Sequence, residues 1–312
     1  MQFRTEISIP ACPILDYDKR FMLLGSCFSE HIGRALLQHR FCGVVNPLGV
    51  LYNPASIAAA LQRLIEHRPF GADELFEYNG LWHSRMHHGK FSAAVRSDAL
   101  KRINDSYLTA AEALPHTDCL LLTFGSSWVY EQDGGIVANC HKLPAYCFTQ
   151  RRLGIEEIVS CYIALIGRLQ QQNARLKIVL TISPVRYMGQ NPPAAQAGKA
   201  VLLLAVEQLC RLPGVYYFPA YEIVMDELRD YRFYADDMIH PSTAAVAYVW
   251  QRFCEVHLTP DAQQLLSEIA QINKSLQHRP LHPDSGAYVQ FRDRLQAQIA
   301  QLIAKHPLIR FE

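Results

Sequence analysis

The stretch from Phe21 to His31, FMLLGSCFSEH, decides the fold. Its short apolar run ends at Gly25-Ser26-Cys27, and a helix-forming segment follows at once. A parallel strand delivers a reactive side chain to its carboxyl edge in this way, and the next helix points free N–H groups at whatever binds there. The stretch therefore predicts a strand-to-helix corner that carries a functional group.

Four further apolar runs have the length and composition of buried strands; they are residues 41–45, 118–125, 177–182 and 215–218. Helical patterns lie between the runs, at residues 29–40, 54–64, 97–114, 154–173 and 195–211. Asn53-Pro54 marks the start of one helix, because asparagine is a good cap and proline suits the first turn. Strands that alternate with helices predict a parallel five-stranded sheet that is covered on both faces.

Three segments lie outside this alternation. Residues 68–95 are rich in aromatic side chains and histidine and predict an irregular or β-ribbon insertion, while Asp133-Gly134-Gly135 predicts a hairpin. Helical periodicity near residues 260–276 and 285–305 predicts a C-terminal helical extension packed on or beside the core. We therefore predict a domain over residues 1–257 and an extension over residues 258–312.

Composition and charge favour a globular protein that acts on small molecules. The 312 residues are half apolar, and 30 Lys and Arg nearly balance 29 Asp and Glu, so nothing indicates a polyanionic partner. Aromatic residues do not interleave with basic clusters, and we expect no nucleic-acid partner. No signal-peptide pattern and no long apolar stretch is present, which predicts a cytoplasmic protein without a membrane span.

Nine scattered cysteines, without a Cys-x-x-Cys pair, predict reduced thiols that mostly behave as small apolar residues. Cys27 is singled out only by its place at the strand-to-helix corner. The plain alternative is that its thiol is structural.

A second segment of chemical interest, Asp236-Asp237-Met238-Ile239-His240-Pro241-Ser242, lies more than 200 residues further along the chain. Asp237 stands three residues before His240, and within one turn this spacing lets a carboxylate accept a hydrogen bond from the imidazole Nδ1–H. The segment predicts a catalytic dyad that lacks its nucleophile. The alternative is that Asp236 or Asp237 is an ordinary turn or capping residue before the helix at Ser242.

Several motifs together resemble those of the GSCFA family, which is similar in turn to the SGNH (GDSL-type) hydrolases; they are FMLLGSCFSEHIG, TFGSSWVYE, NCHKLPAYCF, TISPVRY and DDMIHPS. The resemblance extends over roughly residues 1 to 260. It implies a flavodoxin-like, three-layer α/β/α fold with an active site at the carboxyl edge of the sheet.

The resemblance also implies roles for particular residues. Cys27 occupies the place of the nucleophilic serine of SGNH enzymes, and Asp237 and His240 match their last motif, Asp-x-x-His. Ser26 replaces an aspartate, and it remains an alternative nucleophile because a slip of one residue at a strand end is not excluded. Gly49 matches a glycine whose N–H, with that of Cys27, would form an oxyanion hole.

Gly125-Ser126-Ser127-Trp128 stands where the SGNH enzymes have Gly-x-Asn-Asp. The asparagine that would supply a third oxyanion donor is absent, and Ser127 is the nearest substitute. A cysteine beside a histidine and at a helix N-terminus is expected to have a lowered pKa, which would make Cys27 a strong nucleophile near neutral pH.

Other residues are candidates for substrate binding. Trp128 is predicted either to form a wall of the pocket or simply to pack. His88 is predicted to line the substrate pocket, the alternative being plain packing. His141, Lys142 and Arg186 are predicted to hold an anionic group such as a phosphate or carboxylate, the alternative being solvated loops or surface ion pairs.

No cofactor or metal is expected. His83 and His87 have a spacing that would place them on one helix face, but the glutamate of the His-Glu-x-x-His motif is missing and the aromatic setting argues against a helix. No glycine-rich phosphate loop is present, so nucleotide binding is unsupported.

The residues and the resemblance together predict an acyl-ester hydrolase of the esterase or deacetylase type, acting on a small-molecule, carbohydrate-linked or lipid-linked acyl substrate. Cys27 or Ser26, His240 and Asp237 would form its triad. Two alternatives remain. One is an acyltransferase that forms an acyl-Cys27 intermediate and acylates a sugar or lipid hydroxyl; the other is a catalytically degenerate ligand-binding module.

Overall fold

The computed structural model describes residues 5–187, 189–278, 280–282 and 284–311. Its strands are β1 (Arg20–Gly25), β2 (Cys42–Val45), β3 (Leu75–Tyr78), β4 (Leu81–Ser84), β5 (Cys119–Phe124), β6 (Trp128–Gln132), β7 (Gly135–Val137), β8 (Thr149–Arg152), β9 (Lys177–Ile182) and β10 (Val215–Phe218). Its helices are α1 (Cys27–Gln38), α2 (Pro54–Ile65), α3 (Arg96–Ala113), α4 (Ile155–Gln172), α5 (Pro192–Leu209), the single turn α6 (Ala220–Glu222), α7 (Thr243–His257), α8 (Pro260–Leu276) and α9 (Gly286–Lys305).

The central sheet has five parallel strands in the order β10-β9-β5-β1-β2. Counted along the chain within this sheet, the order is 2-1-3-4-5, which is the flavodoxin type. The predicted α/β fold with a parallel five-stranded sheet is therefore confirmed.

Alternation along β1 divides the core into two layers. Met22 and Leu24 point into one apolar cluster, which includes buried residues of α2, α3, α4 and α5. Phe21 and Leu23 point to the opposite face, where buried residues of α1, α7 and α8 pack. Because successive side chains of a strand leave opposite faces of the sheet, an uninterrupted apolar run is what a strand covered on both faces requires. The three-layer arrangement follows from this pattern.

The carboxyl ends of β1 and β5 form the topological switch point of the sheet. The chain leaves β1 into α1 on one face, whereas the helix that follows β5, α4, packs on the other face. A crevice opens where neighbouring strands send their connections to opposite faces, and ligands of such sheets bind there. The residues that follow Gly25 and Phe124 are therefore the first candidates for a ligand-binding site.

Close packing at this point requires glycine at position 25. Gly25 has a φ of +153°, and a Cβ atom built on it would lie 2.4 Å from the carbonyl oxygen of Thr123 in β5. Its N–H donates to Asn46 Oδ1 at 2.9 Å, and its carbonyl accepts from the Leu51 N–H at 2.9 Å. The end of β1 is thus held by three neighbouring segments.

Two antiparallel units are inserted into the α/β framework. Strands β3 and β4 form the predicted ribbon within residues 68–95, and β6, β7 and β8 form a three-stranded sheet. Asp133 and Gly134 connect β6 to β7 with φ values of 52° and 78°, as a type I′ hairpin turn requires. Both predictions are confirmed.

The C-terminal helices pack on the same face as α1. Ile269 and Ile272 of α8 and Leu302 of α9 are buried in that cluster. Asn273 accepts hydrogen bonds from Arg40 at 3.0 and 2.9 Å through Oδ1. The predicted domain boundary after residue 257 stays a prediction. None of the described helices has the length and hydropathy needed to cross a membrane.

Candidate active site

A cavity of about 500 Å³ opens at the carboxyl edge of the sheet, over the ends of β1, β5 and β9. It is lined by Ser26, Cys27, Tyr52, Asn53, Gly125, Ser126, Trp128, Tyr130, Val137, Ala138, Asn139, Cys140, Ser183, Val185, Arg186, Tyr187, Gly189 and His240. Its size is typical of small-molecule sites. The strand-to-helix corner and the predicted catalytic histidine, which are far apart in the sequence, face this one cavity.

Both candidate nucleophiles line the cavity, in different settings. Ser26 is only 1% exposed, and its Oγ has no hydrogen-bond partner among the described residues. It is the N-cap residue of α1, yet its side chain makes no capping hydrogen bond. Cys27, the first residue of α1, is half-buried, and the backbone N–H groups of Cys27 and Phe28 act on the pKa of its thiol.

The predicted lowering of the Cys27 pKa is wrong. Burial raises the pKa of the Cys27 thiol, because a thiolate loses its hydration in the cavity wall. The two backbone N–H groups act in the opposite direction, Glu30 adds to the increase, and Lys199 opposes it. The N–H groups at the helix N-terminus lower the pKa of Cys27, as expected, but the increase caused by desolvation is larger.

The Asp237–His240 segment forms the predicted dyad geometry. His240 Nδ1 and Asp237 Oδ2 are 2.7 Å apart, and Asp237 Oδ1 accepts from the backbone N–H groups of Ile239 and His240 at 2.9 and 3.0 Å. The hydrogen bonds from the His240 N–H, the His240 side chain and the Ile239 N–H hold the pKa of Asp237 at about 2. The carboxylate therefore stays charged over the whole range in which an imidazole acts as a base, and it accepts the hydrogen bond from Nδ1–H, which leaves Nε2 as the free nitrogen of the ring.

The capping alternative is not what the structure shows for Asp236 and Asp237. Ser242 is the N-cap of α7 and accepts from the Ala245 N–H at 3.3 Å. Asp237 is a turn residue as well as the partner of the imidazole. The carbonyl of Ile239 accepts a hydrogen bond from the Arg186 N–H at 3.0 Å, which ties the turn to the segment after β9.

His240 lies near α1 and lines the same cavity as Cys27. Within the part of the chain that the structure describes, no hydrogen bond joins His240 to Cys27, and His240 Nε2 has no partner. The pKa of His31 in α1 reflects the nearness of His240 to this helix. Burial is the main cause of the lowered pKa of His31, and the charges of Arg34 and His240 lower it as well. Catalytic hydrogen bonds are often long before substrate binds, so this geometry leaves the pair available.

Of the three predicted oxyanion donors, the N–H of Gly49 and the side chain of Ser127 lie outside the lining of the cavity. The Gly49 N–H donates to the Asn46 carbonyl at 2.8 Å, and His88 packs against the Gly49 Cα. Ser127 is fully buried, and its Oγ donates to the Gly198 carbonyl at 2.9 Å, where it anchors α5. In this structure both groups are engaged elsewhere.

Asn53 is a polar residue of the cavity that sequence reasoning read only as a helix cap. It does cap α2, because its Oδ1 accepts from the Ser56 N–H at 2.8 Å. Its Nδ2 has no hydrogen-bond partner among the residues described, and the residue, 5% exposed, lines the cavity. The Asn-Pro signal therefore predicted the cap correctly but did not indicate that the Asn53 amide also lines the cavity.

Of the residues predicted to bind substrate, Trp128 and Arg186 line the cavity. The indole of Trp128 donates to the Ala194 carbonyl at 3.2 Å, which fixes the ring. Arg186 is exposed and makes no ion pair among the described residues. Three further aromatic side chains complete the walls, namely Tyr52, Tyr130 and Tyr187, which sequence reasoning missed because they belong to separate segments.

His88, His141 and Lys142 are not among the lining residues. The His141 ring lies against His83, with centroids 4.4 Å apart, and its Nε2 lies 2.7 Å from the Ser84 carbonyl oxygen. Burial lowers the pKa of His141 to about 4, so the ring is neutral at pH 7 and attracts an anion weakly. Lys142 is exposed. Their roles in substrate binding stay predictions.

The histidines of the inserted ribbon make protein contacts. His83 lies in β4 with its Nδ1 2.7 Å from Ser92 Oγ, and the buried His87 has its Nδ1 2.9 Å from Ser84 Oγ. No group of three or more His, Cys, Asp or Glu side chains suited to a metal ion occurs in the described parts of the chain.

Comparison with solved structures finds distant similarities. A carbohydrate esterase family 3 protein from Talaromyces cellulolyticus is 10% identical, with 80% of this chain and 99% of that chain covered and a TM-score of 0.36. A family 3 carbohydrate esterase from Clostridium thermocellum is 11% identical, with coverages of 81% and 98% and a TM-score of 0.35. A putative platelet activating factor from Streptococcus pneumonia is 12% identical, with coverages of 76% and 84% and a TM-score of 0.36.

No curated protein matches the chain in sequence. Two family profiles do match. Residues 269–312 correspond to the C-terminal domain of GSCFA domain proteins, and residues 20–253 correspond to the GSCFA family itself. The second match includes the strand-to-helix corner, every strand of the central sheet and the Asp237–His240 turn, and the chain therefore belongs to the GSCFA family.

Proposed function

We propose that this protein is an acyl-ester hydrolase in which Cys27 is the nucleophile, His240 the general base and acid, and Asp237 the residue that orients His240. One observation carries the proposal. The imidazole that is hydrogen-bonded to Asp237 at 2.7 Å lines the same cavity as the thiol at the N-terminus of α1. A nucleophile, a base and a group that orients the base are the parts that acyl transfer requires.

In the proposed reaction, His240 Nε2 takes the proton of the Cys27 thiol while Sγ bonds to the ester carbonyl carbon. The carbonyl oxygen becomes an oxyanion. When the tetrahedral intermediate collapses, the C–O bond to the alcohol breaks, and the leaving alkoxide takes the proton from His240. Water then attacks the thioester with His240 as base, which releases the carboxylic acid and restores the thiol.

Two donors are proposed for the oxyanion. The Cys27 N–H lies in the first turn of α1, where backbone N–H groups have no partner within the helix. The Asn53 amide is the second, and its unpartnered Nδ2 supports this assignment. Such donors stabilise the oxyanion more than the neutral carbonyl, and losing one typically costs about 100-fold to 1,000-fold in kcat.

Cys27 is preferred to Ser26 on grounds of access. A nucleophile must reach a carbonyl carbon, and Ser26 Oγ is a fully buried atom, whereas Cys27 is half-buried. The backbone N–H groups of Cys27 and Phe28 also favour the thiolate form. Ser26→Ala therefore serves as the matched control for Cys27→Ala, since both changes remove one heteroatom from adjacent positions in the same wall.

The walls of the cavity favour an uncharged or anionic substrate. Among the residues that the structure describes, four aromatic side chains and one arginine line it, and no aspartate or glutamate does. Aromatic faces suit the apolar faces of a sugar ring or an acyl chain. We therefore propose a small carbohydrate-linked or lipid-linked acyl ester as the substrate, with Arg186 near any carboxylate or phosphate that it carries.

Acyl transfer is a second candidate, supported by a neighbouring cavity. This cavity of about 170 Å³ shares Arg186 and Tyr187 with the main one, so the two are separated by those side chains. It offers a place for an acceptor alcohol next to the main cavity, which Cys27 lines. In this alternative the acceptor alcohol replaces water in the second half-reaction.

The test is incubation with p-nitrophenyl acetate, followed by intact mass and peptide mapping. A hydrolase releases nitrophenol continuously and shows little acetyl adduct, whereas a transferase accumulates acetyl-Cys27 until a sugar or lipid alcohol is added. Both activities should be lost in Cys27→Ala and retained in Ser26→Ala. Acetylation that persists in Cys27→Ala, or the absence of any turnover and adduct in the parent chain with a panel of activated esters, would refute the proposal.

A further inference from the structure

The smaller cavity, of about 170 Å³, is lined by two cationic side chains, Arg186 and Lys199. Arg186 also lines the main cavity, so it borders both spaces. Among the residues that the structure describes, no aspartate or glutamate lines the smaller cavity, and neither cation makes an ion pair. Two like charges at one cavity without a counter-charge are unfavourable unless another group compensates them.

Lys199 has one N–H more than its contacts use. The residue belongs to α5 and is 4% exposed, and its Nζ donates to the carbonyls of Gly125 and Ser183, each at 2.6 Å. Both of these residues line the main cavity, so Lys199 lies behind that wall and itself lines the smaller cavity. An ammonium group has three donors, and the third has no acceptor among the described residues. Because buried donors are nearly always satisfied, the third N–H indicates an acceptor that enters the smaller cavity.

A hydroxyl is available in the same cavity. Gln196 and Tyr221 both line it, and Gln196 Nε2 donates to the Tyr221 hydroxyl at 2.7 Å. Because the hydroxyl accepts this bond, its own hydrogen is free to donate, and no acceptor for it occurs among the described residues. The centroid of the Tyr221 ring lies 5.5 Å from Lys199 Nζ, so the two donors are neighbours. Arg186, Lys199 and Tyr221 thus bring donors to one small space.

The charge of Lys199 is affected by that of Arg186. Burial is the main reason that the pKa of Lys199 is lowered to about 7; Cys27 acts to raise this pKa, and Arg186 acts to lower it. An anion that contacts both cations would replace their repulsion with attraction, and charge-assisted hydrogen bonds to its oxygens would satisfy the free donors. The two cations are therefore most favourably placed when the cavity contains an anion.

We propose that the smaller cavity is a subsite for one anionic group, a carboxylate or a phosphate, which is bound by Lys199, Arg186 and the Tyr221 hydroxyl. A space of about 170 Å³ is smaller than a typical small-molecule site, so it suits one functional group of a ligand whose remainder lies in the main cavity. Binding of the anion does not depend on ester turnover. That the anion belongs to an acyl ester, or to an acceptor alcohol, rests on the proposed function, and the substrate class is then a charged ester.

The first experiment follows lysine labelled at Cε by NMR, at pH 6 and constant ionic strength, where Lys199 is mostly protonated. Sodium phosphate and sodium acetate are the probes, and the one that binds more tightly identifies the group. The Lys199 signal should shift and saturate with a Kd of about 10 mM or less. At saturation its pKa should rise by about one unit, because an anion favours the ammonium form.

The Lys199 signal is assigned by its loss in Lys199→Arg. If that variant does not fold, the signal is identified by its titration midpoint near 7, which lies far below that of an exposed lysine.

Arg186→Gln is the main variant, because Arg186 is exposed and the change should leave the fold intact. It should weaken binding of the anion about tenfold. Arg211→Gln is the matched control, since Arg211 is an exposed arginine just after α5 that lines neither cavity. It should bind as the parent does. No response of Lys199 to either anion at concentrations about tenfold above the expected Kd, or equal binding in the parent and Arg186→Gln, would overturn the subsite.

A second experiment asks whether the subsite serves the ester. Phenyl acetate is compared with p-acetoxybenzoate and p-acetoxyphenyl phosphate, which carry an anion on the alcohol part, and with phenyl hydrogen succinate, which carries one on the acyl part. At least one charged ester should have a kcat/KM about tenfold above that of phenyl acetate. This preference should be lost in Arg186→Gln and kept in Arg211→Gln. Hydrolysis of phenyl acetate with no preference for any charged ester would refute the substrate class.

The two proposals can fail separately. Anion binding that Arg186→Gln weakens, in a chain without ester turnover, would retain the subsite and lose the hydrolase assignment. Hydrolysis of phenyl acetate without any anion binding at Lys199 would retain the hydrolase assignment and lose the subsite.

Discussion

Ser26 and Cys27 directly follow the buried strand β1, whereas Asp237 and His240 lie in a turn, where their side chains are 46% and 44% exposed. The first region is held by contacts from distant parts of the chain: Asn46, Leu51 and Thr123 all hydrogen-bond to Gly25 or Ser26. The polar contacts of Asp237 instead span at most three residues. Substitutions at the corner should therefore affect both folding and chemistry, and substitutions in the turn should affect chemistry alone.

The largest expected effect is that of Cys27→Ala on ester turnover. Removing the nucleophile should lower kcat/KM by about 10,000-fold or more, because the proposed covalent intermediate forms on the Cys27 sulfur. Ser26→Ala should lower it less than about tenfold. Steady-state kinetics with p-nitrophenyl acetate measures both. If Ser26→Ala caused the large loss of kcat/KM and Cys27→Ala the small one, Ser26 would be the nucleophile, one residue before the position proposed.

Gly25→Ala should disrupt the corner through its backbone. A Cβ at this position would lie 2.4 Å from the Thr123 carbonyl oxygen, and β1 would have to move away from β5. We expect a loss of about 3 kcal/mol or more in the free energy of unfolding, measured by urea denaturation. Gly167→Ala in α4 is the control, since its Cβ meets nothing within 4 Å and alanine should stabilise the helix slightly. A loss below about 1 kcal/mol for Gly25→Ala would contradict the description of the corner as rigid.

Asp237→Asn tests the turn by removing the charge of the side chain without changing the size of the side chain. The amide can still accept from the Ile239 and His240 N–H groups, but it no longer supplies a charge to the imidazole. Turnover should fall by up to about 10,000-fold, with little change in the thermal midpoint. A collapse of the thermal midpoint would show that the turn, too, determines the stability of the fold.

The same carboxylate predicts a pH dependence. Because the folded-state pKa of Asp237 is depressed to about 2, its hydrogen bonds contribute above its ordinary pKa and are lost as the pH falls from about 4 towards 2. Loss of activity between pH 5 and 7 must therefore come from another group. NMR titration of the Asp237 side chain checks this, and a midpoint at the ordinary aspartate value would contradict it.

The smallest expected effect is that of Met238→Gly. Met238 is 54% exposed and has a φ of 56°, a conformation that glycine adopts without strain. The gain from relieved strain is offset by the greater freedom of glycine in the unfolded chain, so stability should change by less than about 1 kcal/mol. Urea denaturation measures this. A larger loss would mean that the turn is held more tightly than its contacts indicate.

Much of the architecture could be predicted from local patterns. The five apolar runs, the helices between them, the Asp133-Gly134 hairpin and the β-ribbon all depend on residues near one another in the chain, and each was found where predicted. The 2-1-3-4-5 strand order could be inferred only through the family resemblance, because apolar periodicity does not state which strands are neighbours.

The candidate site was predicted less completely. Asp237 and His240 were paired correctly from their spacing, since a separation of three residues within one turn limits where the side chains can lie. Tyr52, Asn53 and Lys199 were not selected, because each has an ordinary local explanation as a loop, cap or helix residue. They reach the site only when α2 and α5 pack against the sheet.

The sequence by itself determined the strand-to-helix corner and the orienting carboxylate, because both arise from interactions among residues a few positions apart. The tertiary structure alone decided that the Gly49 N–H and Ser127 Oγ are used elsewhere, that Lys199 lies behind the cavity wall, and that the Cys27 pKa is raised. The physical reason is that burial and the pairing of distant groups depend on every segment that surrounds an atom, and these segments meet only in the folded chain.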